Sequence, residues 1–201
     1  MKGEDLKKLA SLEERADGSS SLDEFLGLED AASAACFSVF ARLLLKPWEF
    51  ASRSRRPPLA PVNAALSLGY TLLYHRTLAA IQAIGLEPGL APCLPAGRQS
   101  LACDLMEPLR VPVVDRWGVG LLNQRRVSPD DFLAADADGV RLTKEAFPPV
   151  IADWERQWDD TRSGPVVIDR VRAFANELRE HGQEPRTIRR ELTVAGIDEL
   201  D

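Results

Sequence analysis

From Val62 to Ile84 the chain is almost uninterruptedly apolar or small, with Pro61 ahead of the run and Gly85 behind it. A proline suits the first turn of a helix, where its missing N–H would have had no intrahelical partner, and a glycine suits the residue after the last turn. The segment between them is predicted to be one long helix, apolar on much of its circumference. Such a helix is stable in water only at the centre of other elements. The rest of the sequence must therefore cover it. A chain of 201 residues, 45% of them hydrophobic, can do so without disulfide staples.

The covering elements are also predicted to be helices. Ser21 and Glu24 have the spacing of a capping box, and a helix should run from there to about Leu45. Leu22, Phe25, Leu26, Cys36, Phe37, Phe40 and Leu44 mark its buried stripe, Glu29 and Ser33 fall on that stripe, and Pro47 stops it. The opening, Lys2 to Arg15, reads as a short charged helix or a frayed end. Ser100 is a candidate cap for a further helix, which Pro108 and Pro112 must kink or break before it resumes towards Asn123. Ser128-Pro129-Asp130-Asp131 reads as another helix start. Gly139 to Thr143 fits a short strand or a turn. Helices near Lys144–Trp158 and Val166–His181 follow, the second capped by Gly182. The expected fold is mostly α: a single multi-helix domain over residues 21–182, between a charged N-terminal segment, 1–20, and a charged C-terminal tail, 183–201.

Composition narrows the function. The net charge is −6, so bulk charge does not favour nucleic acid and any such site must be a local basic patch. Cys36, Cys93 and Cys103 are scattered, and no CxxC pair occurs, which argues against a disulfide framework or a zinc site and fits a reducing cytoplasm. The charged opening is unlike a signal peptide, and no apolar run approaches the ~20 residues of a membrane span.

Three features could carry chemistry. Asp104 and Glu107 stand three residues apart in Ser100-Leu-Ala-Cys-Asp-Leu-Met-Glu, on one helix face. Spacing alone reads them as a solvated acidic face, but paired carboxylates also suit a hard divalent cation, which takes oxygen ligands. Glu29 follows Gly27-Leu28, and the small residues after it would let another helix approach closely; an acid near a helix start is also favoured by the helix dipole. Arg53, Arg55 and Arg56 precede Pro57-Pro58, and arginines on a stiff loop can hold phosphates at little ordering cost. Arg125-Arg126 and Arg186, Arg189 and Arg190 are further basic clusters, each ordinarily a solvated surface. The two histidines read as structural: His75 as a core or interface residue, and His181 as a cation at a helix C-terminus.

Taken together, four stretches resemble the CRISPR-associated endonuclease/integrase of the spacer-acquisition module. They are Gly27-Leu-Glu-Asp-Ala-Ala-Ser-Ala, Arg55-Arg-Pro-Pro-Leu-Ala-Pro-Val-Asn-Ala-Ala-Leu-Ser-Leu-Gly-Tyr, Gly85-Leu-Glu-Pro, and Gly97-Arg-Gln-Ser-Leu-Ala-Cys-Asp-Leu-Met-Glu-Pro-Leu-Arg. Asp130-Asp-Phe and Gly139-Val-Arg-Leu-Thr-Lys-Glu are similar to the family's later helical region. The combination is specific where no single piece is, and it spans about Leu12 to Arg190.

The resemblance implies a Mg²⁺- or Mn²⁺-dependent DNA endonuclease/integrase. In the family a 3′-hydroxyl of incoming DNA attacks a phosphodiester of the CRISPR repeat. The resemblance places Glu29 and Glu107 on the two acidic metal positions, with Asp104 as a flanking acid, and makes Arg53, Arg55, Arg56, Arg98, Asn63 and Tyr70 candidates for DNA binding. It implies DNA, a second copy of the chain and a small second adaptation protein as partners. Two positions depart from the pattern. The family's metal-binding histidine falls between Gly85 and Gly97, where this chain offers Leu94 or Pro92, with Cys93 adjacent, a soft ligand poorly suited to Mg²⁺. The signature aspartate is Ala60. The family also carries a β-rich N-terminal domain that builds its dimer, and this chain is expected to lack it, as a truncated, split or degenerate member. The function expected is spacer acquisition with impaired catalysis; the alternative is an inactive DNA-binding or assembly remnant of the same family.

Overall fold

The computed structural model describes residues 7, 9–12, 14–15, 21–54, 56–89, 100–136 and 139–180. Most of these are helical. In chain order they form α1 (Leu22–Leu43), α2 (Pro61–Ile84), α3 (Ser100–Met106), a 3₁₀ turn (Glu107–Leu109), a π-helical segment (Arg110–Asp115) and α4 (Arg116–Asn123). A 3₁₀ turn (Pro129–Asp131), strands β1 (Phe132–Asp136) and β2 (Gly139–Leu142), and helices α5 (Phe147–Asp160) and α6 (Ser163–Glu180) follow. The chain groups into two compact units, one from Met1–Leu73 with Pro108–Ser163, the other from Tyr74–Glu107 with Gly164–Asp201.

In the first unit, α1 starts where the capping pair predicts: the Ser21 hydroxyl accepts the Glu24 N–H at 3.2 Å. It ends at Leu43, four residues short of Pro47. The stop comes from α4 rather than from the proline. Asn123 donates to the Leu43 carbonyl at 2.7 Å and accepts the Leu45 N–H at 2.8 Å, so its amide satisfies groups at the helix end that another turn would have used. The Trp48 indole then donates to the Leu122 carbonyl at 2.8 Å. Phe37, Phe40 and Phe50 close the near side in a cluster of tilted and edge-on rings.

Helix α2 is central over its first half. Val62, Asn63, Ala64, Ala65 and Leu66 are all buried, five in a row, which requires cover on every side. Beyond Thr71 the pattern becomes one-sided. Leu73, Thr77, Ala80 and Ile81 are buried at helical spacing, while His75, Arg76, Gln82 and Ala83 are exposed. His75 is therefore not a core residue. It lies on the polar face, its ring edge-on to Tyr74.

The two prolines after α3 act as predicted. The helix gives way to the 3₁₀ turn and then to the wider π segment, where the Arg116 N–H reaches back five residues to the Val111 carbonyl. This segment packs directly on α2. A β-carbon at Gly69 would stand 2.6 Å from Val114 Cγ1 and 2.9 Å from Trp117 Cζ3, so only glycine permits the approach.

The helix expected at Ser128 does not form. Its capping box is present, with Asp131 accepting from the Ser128 N–H at 2.7 Å and hydroxyl at 3.0 Å, but it closes a single 3₁₀ turn. The chain then enters β1, which pairs antiparallel with β2 (Phe132 with Leu142, Leu133 with Arg141). The strand prevails because Phe132 is buried edge-on against Trp48 and the Thr143 N–H bonds the Asp131 carbonyl at 2.9 Å. Farther on, Trp117 meets Trp154 edge-on at 5.1 Å. The buried Asp153 carboxylate accepts from the Trp117 indole at 3.1 Å and from Arg126 at 2.5 Å. Arg126 is thus a partly exposed charge paired with the buried Asp153 rather than a free one.

In the second unit Ile81, Leu101, Ala102, Leu105 and Met106 are buried, as are Val167, Val171 and Ala175, which recur every four residues along α6. This helix starts at Ser163, three residues before the expected position. His181, Gly182 and the tail from 183 on lie outside the described residues. Among the described residues no helix is long and apolar enough to cross a membrane.

Candidate functional site

The acidic candidates divide between elements. Asp104 is half-buried on α3, and its Oδ2 is shielded from solvent with no hydrogen-bond partner. An enclosed carboxylate oxygen without a donor is costly unless a cation or ordered water meets it. Glu107 is exposed and opens the 3₁₀ turn. Glu107 thus follows directly on α3, with Pro108 inside the 3₁₀ turn that continues it. Glu29 lies on α1, and its side chain is outside the described residues. So are Arg55, Arg98 and the stretch holding Pro92, Cys93 and Leu94. Among the described residues no three His, Cys, Asp or Glu side chains converge.

The basic loop is held in place residue by residue. Arg53 donates to Asn63 Oδ1 at 3.1 Å, to the Ser67 hydroxyl at 3.0 Å and to the Ser54 carbonyl. Asn63 Oδ1 also accepts the Ser54 N–H at 3.0 Å, and its Nδ2 donates to the Ser52 carbonyl at 3.0 Å. Asn63 is only 3% exposed, so it acts on the loop rather than reaching solvent. The Ser54 hydroxyl accepts the Leu59 N–H at 2.9 Å. The far side of the loop rests on β2: the Val140 N–H meets the Pro58 carbonyl at 2.9 Å, and Gly139, with φ of +84°, leaves no room for a β-carbon against Pro57 and Pro58. Arg56 stands exposed on this loop.

Tyr70 links the loop to the π segment. Its hydroxyl donates to Asp115 Oδ1 at 2.5 Å. The guanidinium carbons of Arg53 and Arg110 each stand 5.3 Å from its ring centroid, within cation–π range. Burial, then the charge of Asp115 and the hydrogen bond to it, push the Tyr70 hydroxyl far above its ordinary pKa, so it remains a donor. Burial raises the Asp115 pKa as well, against the lowering effects of the Tyr70 bond, Arg110 and Arg53. The Cys36 thiol is raised by burial and then by Asp115, which keeps it protonated and unreactive.

Arg110, Asp115 and Ser67 did not stand out in the sequence. In an α-helix, residues five apart point about 140° away from each other. The π geometry brings position i+5 back over i. The signal was the pair of prolines four apart, at 108 and 112, which announces the distortion but not which side chains it aligns.

A model of the family described as CRISPR associated protein Cas1 matches residues 2–156. The chain belongs to the Cas1 family. It is 41% identical over 150 residues to the CRISPR-associated endonuclease Cas1 2 of Rhodospirillum rubrum, an alignment covering 72% of this chain and 44% of that protein. Against a chain of a solved Cas6-RT-Cas1–Cas2 complex the identity is 27% and the TM-score 0.79, covering 92% of this chain and 21% of the other. A Cas1 protein from Thermotoga maritima shares the fold, with a TM-score of 0.75 at 24% identity over 88% of this chain and 58% of that one. The chain spans less than half the length of the first of these relatives. The helical Cas1-type architecture expected from the motifs is the one observed.

Proposed function

We propose that this Cas1-family chain provides the helical catalytic part of a metal-dependent DNA endonuclease/integrase acting in CRISPR spacer acquisition, with its catalysis weakened by the absent histidine. The observation that carries the reading is Asp104, whose shielded Oδ2 has no hydrogen-bond partner and lies in the Gly97–Arg110 stretch that resembles the family's acidic segment. An oxygen-only donor set of Glu29, Asp104 and Glu107 fits Mg²⁺ or Mn²⁺. When bound, such an ion supplies charge stabilisation at the phosphate and orients the attacking oxygen. The chain's own contribution is to place these carboxylates and to bind the DNA backbone through the arginine loop, with Asn63 fixing the loop and Tyr70 supporting Arg53. Arg98 and Arg55 belong to the same basic set. The reaction is a phosphoryl exchange in which the incoming 3′-oxygen forms a bond to phosphorus as the bond to the repeat's own 3′-oxygen breaks.

The naming of Cas1 with Cas2 in the related complex supports a small second adaptation protein as a partner. A second copy of the chain and a location in the cytoplasm complete the reading. A second reading, an inactive DNA-binding or assembly module, is favoured by the Pro88–Gly97 stretch, which holds no imidazole. Strand transfer and disintegration by the purified chain, with Mg²⁺ and with Mn²⁺, separate the two. Weak metal-dependent activity that disappears in Glu29→Ala and Glu107→Ala is the expected result. No activity at all favours the inactive module. Robust activity that survives both substitutions removes the proposed site.

A further inference from the structure

The loop between α1 and α2 carries two described arginines, and the fold treats them differently. The Arg53 guanidinium is turned into the protein. Its Nη1 donates to Asn63 Oδ1 at 3.1 Å and to the Ser54 carbonyl, and its Nη2 donates to the Ser67 hydroxyl at 3.0 Å. Its Nε is shielded from solvent, and its Cζ stands over the Tyr70 ring, 5.3 Å from the centroid. A guanidinium grips a phosphate through two neighbouring N–H groups on one edge. With Nη1 bonded twice and Nε shielded, no edge of Arg53 keeps both of its N–H groups for an anion from outside.

Arg56 is the opposite case. Its side chain is exposed, and among the described residues no hydrogen bond or ion pair engages it. Its backbone is nevertheless held on both sides. The Ser54 N–H bonds Asn63 Oδ1 at 3.0 Å, the Ser54 hydroxyl accepts the Leu59 N–H at 2.9 Å across the arginine, and the Pro58 carbonyl accepts the Val140 N–H at 2.9 Å. We propose that the two arginines divide the work: Arg56 meets a backbone phosphate of DNA, and Arg53 is a positioning residue that holds the loop in place and touches no phosphate. The assignment rests on the DNA reading above and deepens it by naming the guanidinium that makes the contact. A free fork on an anchored backbone loses less freedom on binding than one on a loose loop. In a chain of net charge −6, such a local, outward-facing cation is what attraction to a phosphodiester requires.

The test is binding of a labelled DNA duplex to the full 201-residue chain, in EDTA, from about 50 to 200 mM NaCl. Each phosphate contact contributes a slope of about −0.9 to the plot of log affinity against log salt. Arg56→Ala should flatten the slope by about that amount. Arg53→Ala should flatten it only where Arg56 is present, so the double variant should lose no more slope than Arg56→Ala alone. An unchanged slope in Arg56→Ala overturns the contact. A double variant that loses about twice the slope shows Arg53 on a phosphate of its own and overturns the positioning role, and so does an Arg53→Ala slope equal to the parent's. If thermal melting shows that the Arg53 variants have lost their fold, arginine modification of the parent chain by phenylglyoxal, located by mass spectrometry, gives a second reading. Arg56 should react in the free protein and be protected by DNA, whereas Arg53 should react slowly with or without it. An Arg53 that reacts readily and is protected by DNA overturns the assignment. A parent chain that binds no DNA at any salt removes the DNA reading and this assignment with it. Salt-dependent binding that ignores Arg56→Ala leaves that reading standing and sinks the assignment alone.

Discussion

Gly69 on α2 and Val114 in the π segment approach so closely that a β-carbon on the glycine would lie 2.6 Å from the valine's Cγ1. The neighbouring pair, Tyr70 and Asp115, depends on that approach for its hydrogen bond. Gly69→Ala should therefore force the two elements apart, destabilising the chain by about 1–3 kcal/mol, as overpacking of a tight contact does. Urea unfolding measures the loss. A variant as stable as the parent would mean that the contact is looser than described.

Asn63 is the staple of the arginine loop. Its replacement by alanine removes the acceptor of the Ser54 N–H and of Arg53, and the donor to the Ser52 carbonyl. The expected cost is about 2–3 kcal/mol, since buried polar groups are left without partners. The loop should also open to trypsin at the Arg53–Ser54 bond. Cleavage no faster than in the parent would show that the loop is held by other means.

Asp115 makes stability depend on pH with a definite sign. Its folded pKa is raised, mainly by burial. Its contribution is therefore fully present below the unfolded carboxylate pKa and is lost as pH rises through the folded value. Asp115→Asn removes this term, so the variant should gain on the parent in unfolding midpoint as pH increases from about 3.5 towards neutrality. A constant difference across that window would contradict the assignment.

Asp153 on α5 is a structural counterpart that bridges Trp117 in the first turn of α4 and Arg126 beyond its end. It is 4% exposed and bonds the Trp117 indole and Arg126. Asp153→Ala should cost about 2 kcal/mol, less than a fully buried pair, because the arginine is partly exposed and screened. Unfolding followed by tryptophan fluorescence checks it, and a loss below about 0.5 kcal/mol would place the weight of the network elsewhere.

The helices were legible because their signals are local. Ser21 with Glu24, Pro61 with Gly85, and the two prolines after α3 each report on a few neighbouring residues, and each marks a real boundary or break. The strand at Phe132–Asp136 was not legible, since Ser128 to Asp131 forms a genuine capping box and only the distant partners Trp48 and Gly139–Leu142 divert the chain. The halving of α2 was missed for a related reason: small residues such as Ala79 and Ala83 count as apolar in a pattern yet can face solvent. In the candidate site, Arg53, Asn63 and Tyr70 were found through the motif that contains them, and the structure brings them together. Arg110 and Asp115 were not found, because they meet only through a π-helical geometry for which sequence has no period.

Manganese binding followed by electron paramagnetic resonance tests the central claim most directly, because the free ion's signal falls as the protein binds it. The account predicts one Mn²⁺ per chain, displaced by Mg²⁺, with affinity reduced at least about tenfold in Asp104→Asn and in Glu29→Gln. With no imidazole among the ligands, the preference for Mn²⁺ over Mg²⁺ should be small. Equal Mn²⁺ binding by the parent and both variants, or no binding by any of them, would contradict the assignment of these carboxylates to a metal site.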